Sequence, residues 1–221
     1  MGWRYYCSPI IFLESEMLRN VFATTVSFAL LAAAAHAQGG PPAASKDPAT
    51  IAAGTYVIDP SHTSVLARVP HMNGVSTSVF RFGTSAGSMI WDPTTPETSK
   101  LDVTIDAKSI ETPVKGFADE LVGAGFLNAA KYPEARFVST SIKKTGPAKG
   151  EVSGDFTFMG QTHTLTLDTD LVGSGKNMRG AGIVGFHATG HFKRSDYGFG
   201  AMAPAIGDEI TLVIDTEMDK K

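Results

Sequence analysis

The sequence predicts an all-β fold, an antiparallel barrel or sandwich, and three observations carry that expectation. From Gly54 onward, short runs alternate apolar and polar residues at period two, as half-buried strands do. Turn-forming clusters (Asp92-Pro93, Lys144-Thr145-Gly146-Pro147, Gly173-Ser174-Gly175) punctuate those runs, roughly every ten to fifteen residues, as in small barrels and sandwiches. One interruption stands out. Between Ile105 and Ser139 a strand pattern stops and later resumes, with a long apolar connector between.

In chain order, residues 1–37 read as a leader. Met17-Leu18-Arg19-Asn20 supplies a basic start, Val21 to Ala35 contains no Asp, Glu, Lys or Arg, and Ala35-His36-Ala37 has the small-x-small pattern of a signal-peptidase site. Met17 is the expected true start, because Glu14 and Glu16 are foreign to a signal n-region. Cleavage is expected after Ala37. The apolar run is shorter than the roughly 20 residues needed to span a bilayer. Residues 38–53, with Gly39, Gly40, Pro41, Pro42 and Pro48, read as a flexible tether, and residues 54–221 as one domain. From Gln38 onward there are 17 basic and 20 acidic residues, a net charge of −3, with no basic block to attract nucleic acid. The only cysteine, Cys7, lies in the leader, so the domain has no disulfide and must be held by core burial.

The domain opens with Val65, Ala67 and Val69 alternating with Leu66 and Arg68. Phe80 and Phe82 flank Arg81, and Met89 and Trp91 precede the Asp92-Pro93 turn. Leu101, Val103 and Ile105 alternate with polar residues up to the connector. Within it, Phe117, Leu121, Val122, Phe126 and Leu127 have the spacing of a short amphipathic helix that Gly123 and Gly125 would fray. Weaker alternation resumes at Phe137, Ser139 and Ser141. Val152, Gly154, Phe156 and Phe158 then face one way, and Ser153, Asp155 and Thr157 the other. Leu165 and Leu167, then Ile183, Gly185, Ala188 and Phe192, and finally Ile210, Leu212 and Ile214 complete the pattern. Periodicity alone does not separate a sandwich from a barrel with an apolar lumen, although closure removes exposed strand edges.

Ordered short strings add a resemblance. They begin with Tyr56-Val57-Ile58-Asp59-Pro60-Ser61-His62-Thr63-Ser64-Val65 and Val69-Pro70-His71-Met72, followed by Trp91-Asp92-Pro93 and Ser109-Ile110-Glu111-Thr112. Phe126-Leu127-Asn128-Ala129-Ala130-Lys131-Tyr132-Pro133, Gly154-Asp155-Phe156-Thr157, Lys193-Arg194-Ser195-Asp196-Tyr197-Gly198 and Gly207-Asp208-Glu209-Ile210 continue the series. Together they resemble the YceI family of polyisoprenoid-binding or lipid-binding proteins, over essentially Gly54 to Asp219. The resemblance implies a lipocalin-like antiparallel β-barrel of about eight strands, with the helical connector at its mouth. It also implies export to the periplasm and an apolar cavity for an isoprenoid, prenyl phosphate or quinone-like lipid. Three positions depart from the family pattern: Glu120 replaces a histidine, Gly125 an aspartate, and Ser85 a frequent aromatic.

The residues expected to bind the ligand are Val65, Ala67, Val69, His71, Phe82, Val103, Ile105, Phe117, Leu121, Phe126, Leu127, Phe156, Phe158 and Arg194. Lumen lining and ordinary core packing predict the same apolar set. Small residues within strands (Ala67, Gly87, Gly154, Gly185) favour a cavity, although glycine also marks bends. Arg194 or Arg68 at a rim could fork onto a phosphate, the structural alternative being an Arg–Asp pair closing the barrel end. Lys115 and Lys131 read as solvated charges. No catalytic residue, metal site or cofactor is expected: His187 and His191 lie about 13 Å apart on an extended chain, and the nucleophile-elbow and Walker patterns are absent. The expected function is a non-catalytic lipid carrier, with a homodimer as a possible assembly. The alternatives are an enzyme using His71 or Glu120 for proton transfer, and an envelope interaction module.

Overall fold

The structure is a computed structural model and describes residues 43–221. The leader reading and the start of the tether lie outside these residues. Within them, no helix is long and apolar enough to cross a membrane.

Ten strands form one antiparallel sheet: β1 Gly54–His71, β2 Ser76–Phe82, β3 Ser85–Trp91, β4 Lys100–Asp106, β5 Ile110–Glu111, β6 Glu134–Gly146, β7 Lys149–Phe158, β8 Gln161–Lys176, β9 Gly182–Lys193 and β10 Glu209–Lys220. Two pairs of these act as single broken strands. β2 runs along the second half of β1 and β3 along its first half, while β5 follows β4 after a turn of 3-10 helix at Ala107–Ser109. Eight staves result, each bonded to its neighbours in chain order. The last closes on the first through the β10–β1 ladder, from Tyr56↔Lys220 to Arg68↔Thr211. Of the two all-β architectures left open by periodicity, the structure is the closed barrel.

Alternation sets the two faces as expected. Val65, Ala67 and Val69 are buried while Arg68 is exposed, and Leu165 and Leu167 are buried while Thr164, Thr166 and Asp168 are exposed. Ion pairs such as Arg136–Asp102, at 3.0 and 2.6 Å, lie on the outer face, where they contribute little.

Four features differ from the sequence expectations. The tether is not free along its whole length. The Ser45 amide donates to the Ser174 carbonyl at 2.9 Å, the Ser174 amide donates back at 2.7 Å, and Ile51 is 2% exposed. With the Tyr56 hydroxyl donating to the Ala52 carbonyl at 2.9 Å, this segment packs on the barrel end opposite the connector. The helix is only five residues, α1 Phe117–Leu121, and gives way at Val122-Gly123 to tight turns. Gly87 and Gly154 do not leave room for a ligand. A Cβ at Gly154 would lie 2.4 Å from the Val138 carbonyl oxygen and 2.6 Å from the Phe137 ring, and one at Gly87 would lie 2.4 Å from the Asp102 carbonyl oxygen. Both mark close strand approach, whereas Gly185 has ordinary contacts.

The fourth is a bulge. Between Asp59 and Ser64, four residues of β1 (Pro60 to Thr63) oppose the single residue Thr216. Asp59 organises it, accepting from the Ser61 amide at 2.8 Å and pairing with His62 Nδ1 at 2.6 Å, while buried Thr63 bonds Thr216 Oγ1 at 2.9 Å. The hydrogen bond from His62, then that from the Ser61 amide, hold the Asp59 carboxyl below its ordinary value; the same bond, then the charges of Asp59 and Glu217, raise His62 above 6.5.

Two predictions follow from this geometry. Gly154→Ala should lower the free energy of unfolding by about 2 kcal/mol, read by urea denaturation. Gly175→Ala, in open space, should change it by less than about 0.5 kcal/mol. In an NMR titration, His62 should show a midpoint above 6.5 that falls back in Asp59→Asn. The pair's contribution should be fully present between the ordinary carboxylate and histidine ranges. It is lost as pH rises through the raised His62 value, and lost as pH falls through the lowered Asp59 value.

Candidate functional site

Closure leaves an interior that its side chains do not fill. A cavity of about 570 Å³ runs from the connector to the opposite end of the barrel, within the range of small-molecule sites. Its wall takes inward positions from every stave, among them Val65, Ala67 and Val69 of β1, Phe82 of β2, Val103 and Ile105 of β4, Phe156 and Phe158 of β7, and Phe137, Leu165, Ala188 and Leu212 of β6, β8, β9 and β10. Phe117, Leu121, Phe126 and Leu127 of the connector, with His71 and Arg194, line the end beneath it. All fourteen residues expected from the sequence therefore border this one cavity. Ser85, where the family favours an aromatic, is buried in the same wall, and its small side chain takes little of the lumen.

The connector end is closed by aromatics from three separate segments. Phe80 of β2 meets Phe117 at 6.4 Å between ring centroids, Phe117 meets Phe126 at 6.4 Å, and Phe126 meets Phe199 at 6.2 Å, the last two edge-to-face. Buried Ile110, Leu121 and Leu127 pack against this arc. The connector holds its shape by internal backbone bonds, from Leu127 to Leu121, Asn128 to Gly123 and Ala129 to Val122. A second aromatic group joins Phe156, Phe158, Phe192 and Tyr197 at centroid distances of 5.3 to 6.0 Å. Burial there, helped by the charge of Asp196, pushes the Tyr197 hydroxyl up to about 12.

Arg194 borders the cavity, but its guanidinium is not a free fork. Nε donates to the Gly207 carbonyl at 2.8 Å, Nη2 to the Ile206 carbonyl at 2.8 Å, and Nη1 to the Phe199 carbonyl. At 2% exposure it is a buried peg that folds the segment 199–207 over the barrel end. The expected Arg–Asp pair is also different. Asp208 accepts from the Ser195 amide at 2.9 Å and its hydroxyl at 2.7 Å, while the arginine serves backbone carbonyls. Arg68 is exposed and does not line the cavity, as are Lys115 and Lys131, the latter 5.0 Å from the Tyr132 ring centroid. Of the two proton-transfer candidates, Glu120 lies on the exposed face of α1 away from the cavity, and His71 borders it with Ser76 Oγ at 3.4 Å.

Other groups were not singled out from sequence. Phe199, Met202 and Ile206 lie in a loop without periodicity, and Trp91 and Phe192 were read only as strand residues. Asp59, His62 and Glu217 bring ligand-capable atoms within 4.8 Å of one another, the one such trio among the described residues. Its signal, Asp and His three apart, is completed only by the β10–β1 register. The remaining histidines are occupied at the surface: His187 by Asp215 at 2.8 Å, His163 by the Asp196 carbonyl at 3.0 Å and His191 by Thr211 at 3.2 Å.

An eight-stave up-and-down barrel with an apolar lumen and a covered end defines a class, the small β-barrels that enclose a cavity. The model of the YceI-like domain matches residues 56–218, and the chain belongs to that family. It is 35% identical over 167 residues to Protein YceI of Escherichia coli O157:H7, covering 75% of this chain and 86% of that protein, and 34% identical to Protein YceI of Shigella flexneri with the same coverage. The Campylobacter jejuni YCEI protein superposes with a TM-score of 0.62 at 30% identity, covering 66% of this chain and 87% of that one. Burkholderia cenocepacia BcnA shares the fold at a TM-score of 0.65 and 22% identity, covering 72% and 98%. So does a polyisoprenoid binding domain from Saccharophagus degradans, at a TM-score of 0.55 and 13% identity, covering 77% and 100%.

The pegging role of Arg194 is testable. Arg194→Met leaves three part-buried carbonyls without their donor and should cost about 3 kcal/mol of stability. Limited proteolysis should then cut first between residues 199 and 207.

Proposed function

We propose that this protein is a periplasmic, non-catalytic carrier that encloses one amphiphilic lipid, an isoprenoid or quinone-like molecule, in the barrel lumen. The observation that carries the reading is the cavity itself: about 570 Å³ of continuous space, walled by aliphatic and aromatic side chains on every stave. Burial alone supplies the affinity. At about 0.8 kcal/mol per buried methylene, a tail of ten carbons has a gross driving force of about 8 kcal/mol before association costs. The polyisoprenoid binding domain among the structural neighbours supports this ligand class, and family membership supports binding over catalysis. The leader pattern supports export to the periplasm.

Native mass spectrometry of protein purified from periplasm, followed by organic extraction, is the test. One lipid per chain, released on denaturation, is the expected result; a reproducibly lipid-free protein that also takes up no lipid from detergent overturns the reading. Ala67 lies on the wall at mid-barrel, so Ala67→Trp should exclude at least two methylenes of ligand. It should weaken binding roughly tenfold or more while circular dichroism stays that of a folded barrel.

A further inference from the structure

Opposite the connector, the cavity is bordered in part by chain that lies outside the barrel: Pro48 and Ile51 belong to its lining. The staves explain why there is a place for them. The β7–β8 ladder stops at Lys149↔Asp170, while β8 runs on to Lys176 and stays paired with β9 as far as Lys176↔Gly182. On the β7 side the last bond runs from the Leu171 amide to the Ala148 carbonyl. Beyond it the edge of β8 would stand open, and an open edge pairs readily with another extended segment. Residues 44–51 take that position. Ser45 makes an antiparallel bridge to Ser174 through both backbone groups, and the Thr50 and Ser174 hydroxyls meet at 3.0 Å.

Both partners are shaped for this contact. A Cβ on Gly173 would lie 2.8 Å from the Ala44 Cβ and 3.6 Å from the Ser45 carbonyl oxygen, and the three atoms nearest to it all belong to those two residues. Glycine here admits the strap and nothing else. Within the strap, the Asp47 carboxylate accepts from the Ala49 amide at 3.0 Å and starts one turn of 3-10 helix at Pro48–Thr50. That turn brings Ile51 into a cluster with Tyr56, Met89, Leu171 and Met218, of which Met89, Leu171 and Met218 also line the cavity. A tail that reaches this end of the lumen therefore meets the strap. The staves around it are hydrogen-bonded along their lengths, whereas the strap is held by one two-bond bridge, a hydroxyl contact and the burial of Ile51, and such weakly held segments open first.

We infer that residues 44–51 form a docked floor of the lipid cavity, seated on the overhang of β8 at Gly173 and Ser174, and that this floor sets the longest tail the cavity accepts. The inference rests on the lipid-carrier reading and names the element that determines its tail-length specificity. The segment that reads as a tether is thus part of the binding site.

The test reads the strap and the cavity separately. Amide hydrogen exchange with mass spectrometry reports whether residues 44–51 are docked. Displacement of the neutral fluorophore N-phenyl-1-naphthylamine by the straight-chain series from 1-octanol to 1-octadecanol reports the accepted tail length. In the wild type the strap amides should be protected, and each added methylene should tighten binding roughly threefold to fourfold up to a break, beyond which further carbons add nothing. Gly173→Val drives a side chain into Ala44. It should free the strap amides and move the break about two carbons longer, because the tail enters the space that Ile51 leaves; tails shorter than the break should bind within about twofold of wild type. Gly175→Ala, in open space two residues on, should leave strap and break unchanged. A break that stays in place or moves to shorter tails once the strap is free, or one that moves as far in Gly175→Ala, overturns the floor and leaves the lipid cavity intact. Strap amides that exchange freely in the wild type, or stay protected in Gly173→Val, overturn the docking. Failure of every alcohol to displace the fluorophore from the wild type overturns the carrier reading instead. Should Gly173→Val unfold, Ser45→Pro changes only the strap and removes its amide donor to Ser174. It should free the same amides and move the break the same way, and an unmoved break in it overturns the floor.

Discussion

The seam between β1 and β10 is the constraint on which the rest of this molecule depends. A chain without disulfides in its folded domain must hide its strand edges by backbone pairing alone, and here β1 is bonded on both sides, to β10 and to the β2–β3 stave. Once the sheet is closed, every side chain points either in or out, and the stave number sets a width that eight inward faces leave partly unfilled. The cavity follows from closure and from the modest size of residues such as Ala67 and Ser85 on the wall. It does not follow from Gly87 and Gly154, which spend their missing side chains on close approach of neighbouring backbones.

Closure also requires relief. Four residues of β1 are accommodated opposite one of β10, and Asp59 satisfies the backbone and side-chain groups that the bulge frees. Smaller irregularities at Thr140 and Val172 do the same on β6 and β8. A bulge bends its strand and sharpens the local twist, which a sheet of long staves needs to curl into a tube. The Asp59-Pro60-Ser61-His62 string thus has a structural role independent of any ligand.

The strands were legible because period-two alternation is a local signal, and each run that alternates at the sequence level lies on a stave. The expected residues on β1, β2, β4 and β7 border the cavity for the same reason, since an inward position on a closed barrel is also a lumen position, whereas Phe117, Leu121, Phe126 and Leu127 were read from the apolar connector and not from alternation. What stayed hidden depends on contacts between distant segments. Ile51 looks like any residue of a Pro-Gly tether until the Ser45–Ser174 bridge holds that segment on the barrel, where Ile51 joins the cluster of Tyr56, Leu171 and Met218. The duty of Arg194 could not be read because its partners are the carbonyls of Phe199, Ile206 and Gly207, which have no side-chain signature.

The phenylalanine arc differs from the walls in what holds it. Its rings belong to β2, the connector and the 199–207 loop, and the connector's backbone bonds close mainly within itself. Displacing the connector as a body therefore breaks the Phe80–Phe117 and Phe126–Phe199 contacts, each worth about 0.5–1.5 kcal/mol beyond its area burial, exposes Leu121 and Leu127, and spares the ladder of the barrel. Opening and global unfolding are then separate kinetic processes, the first a local fluctuation and the second a cooperative loss of the seam. A barrel built this way can open its connector end many times within the lifetime of one folded molecule.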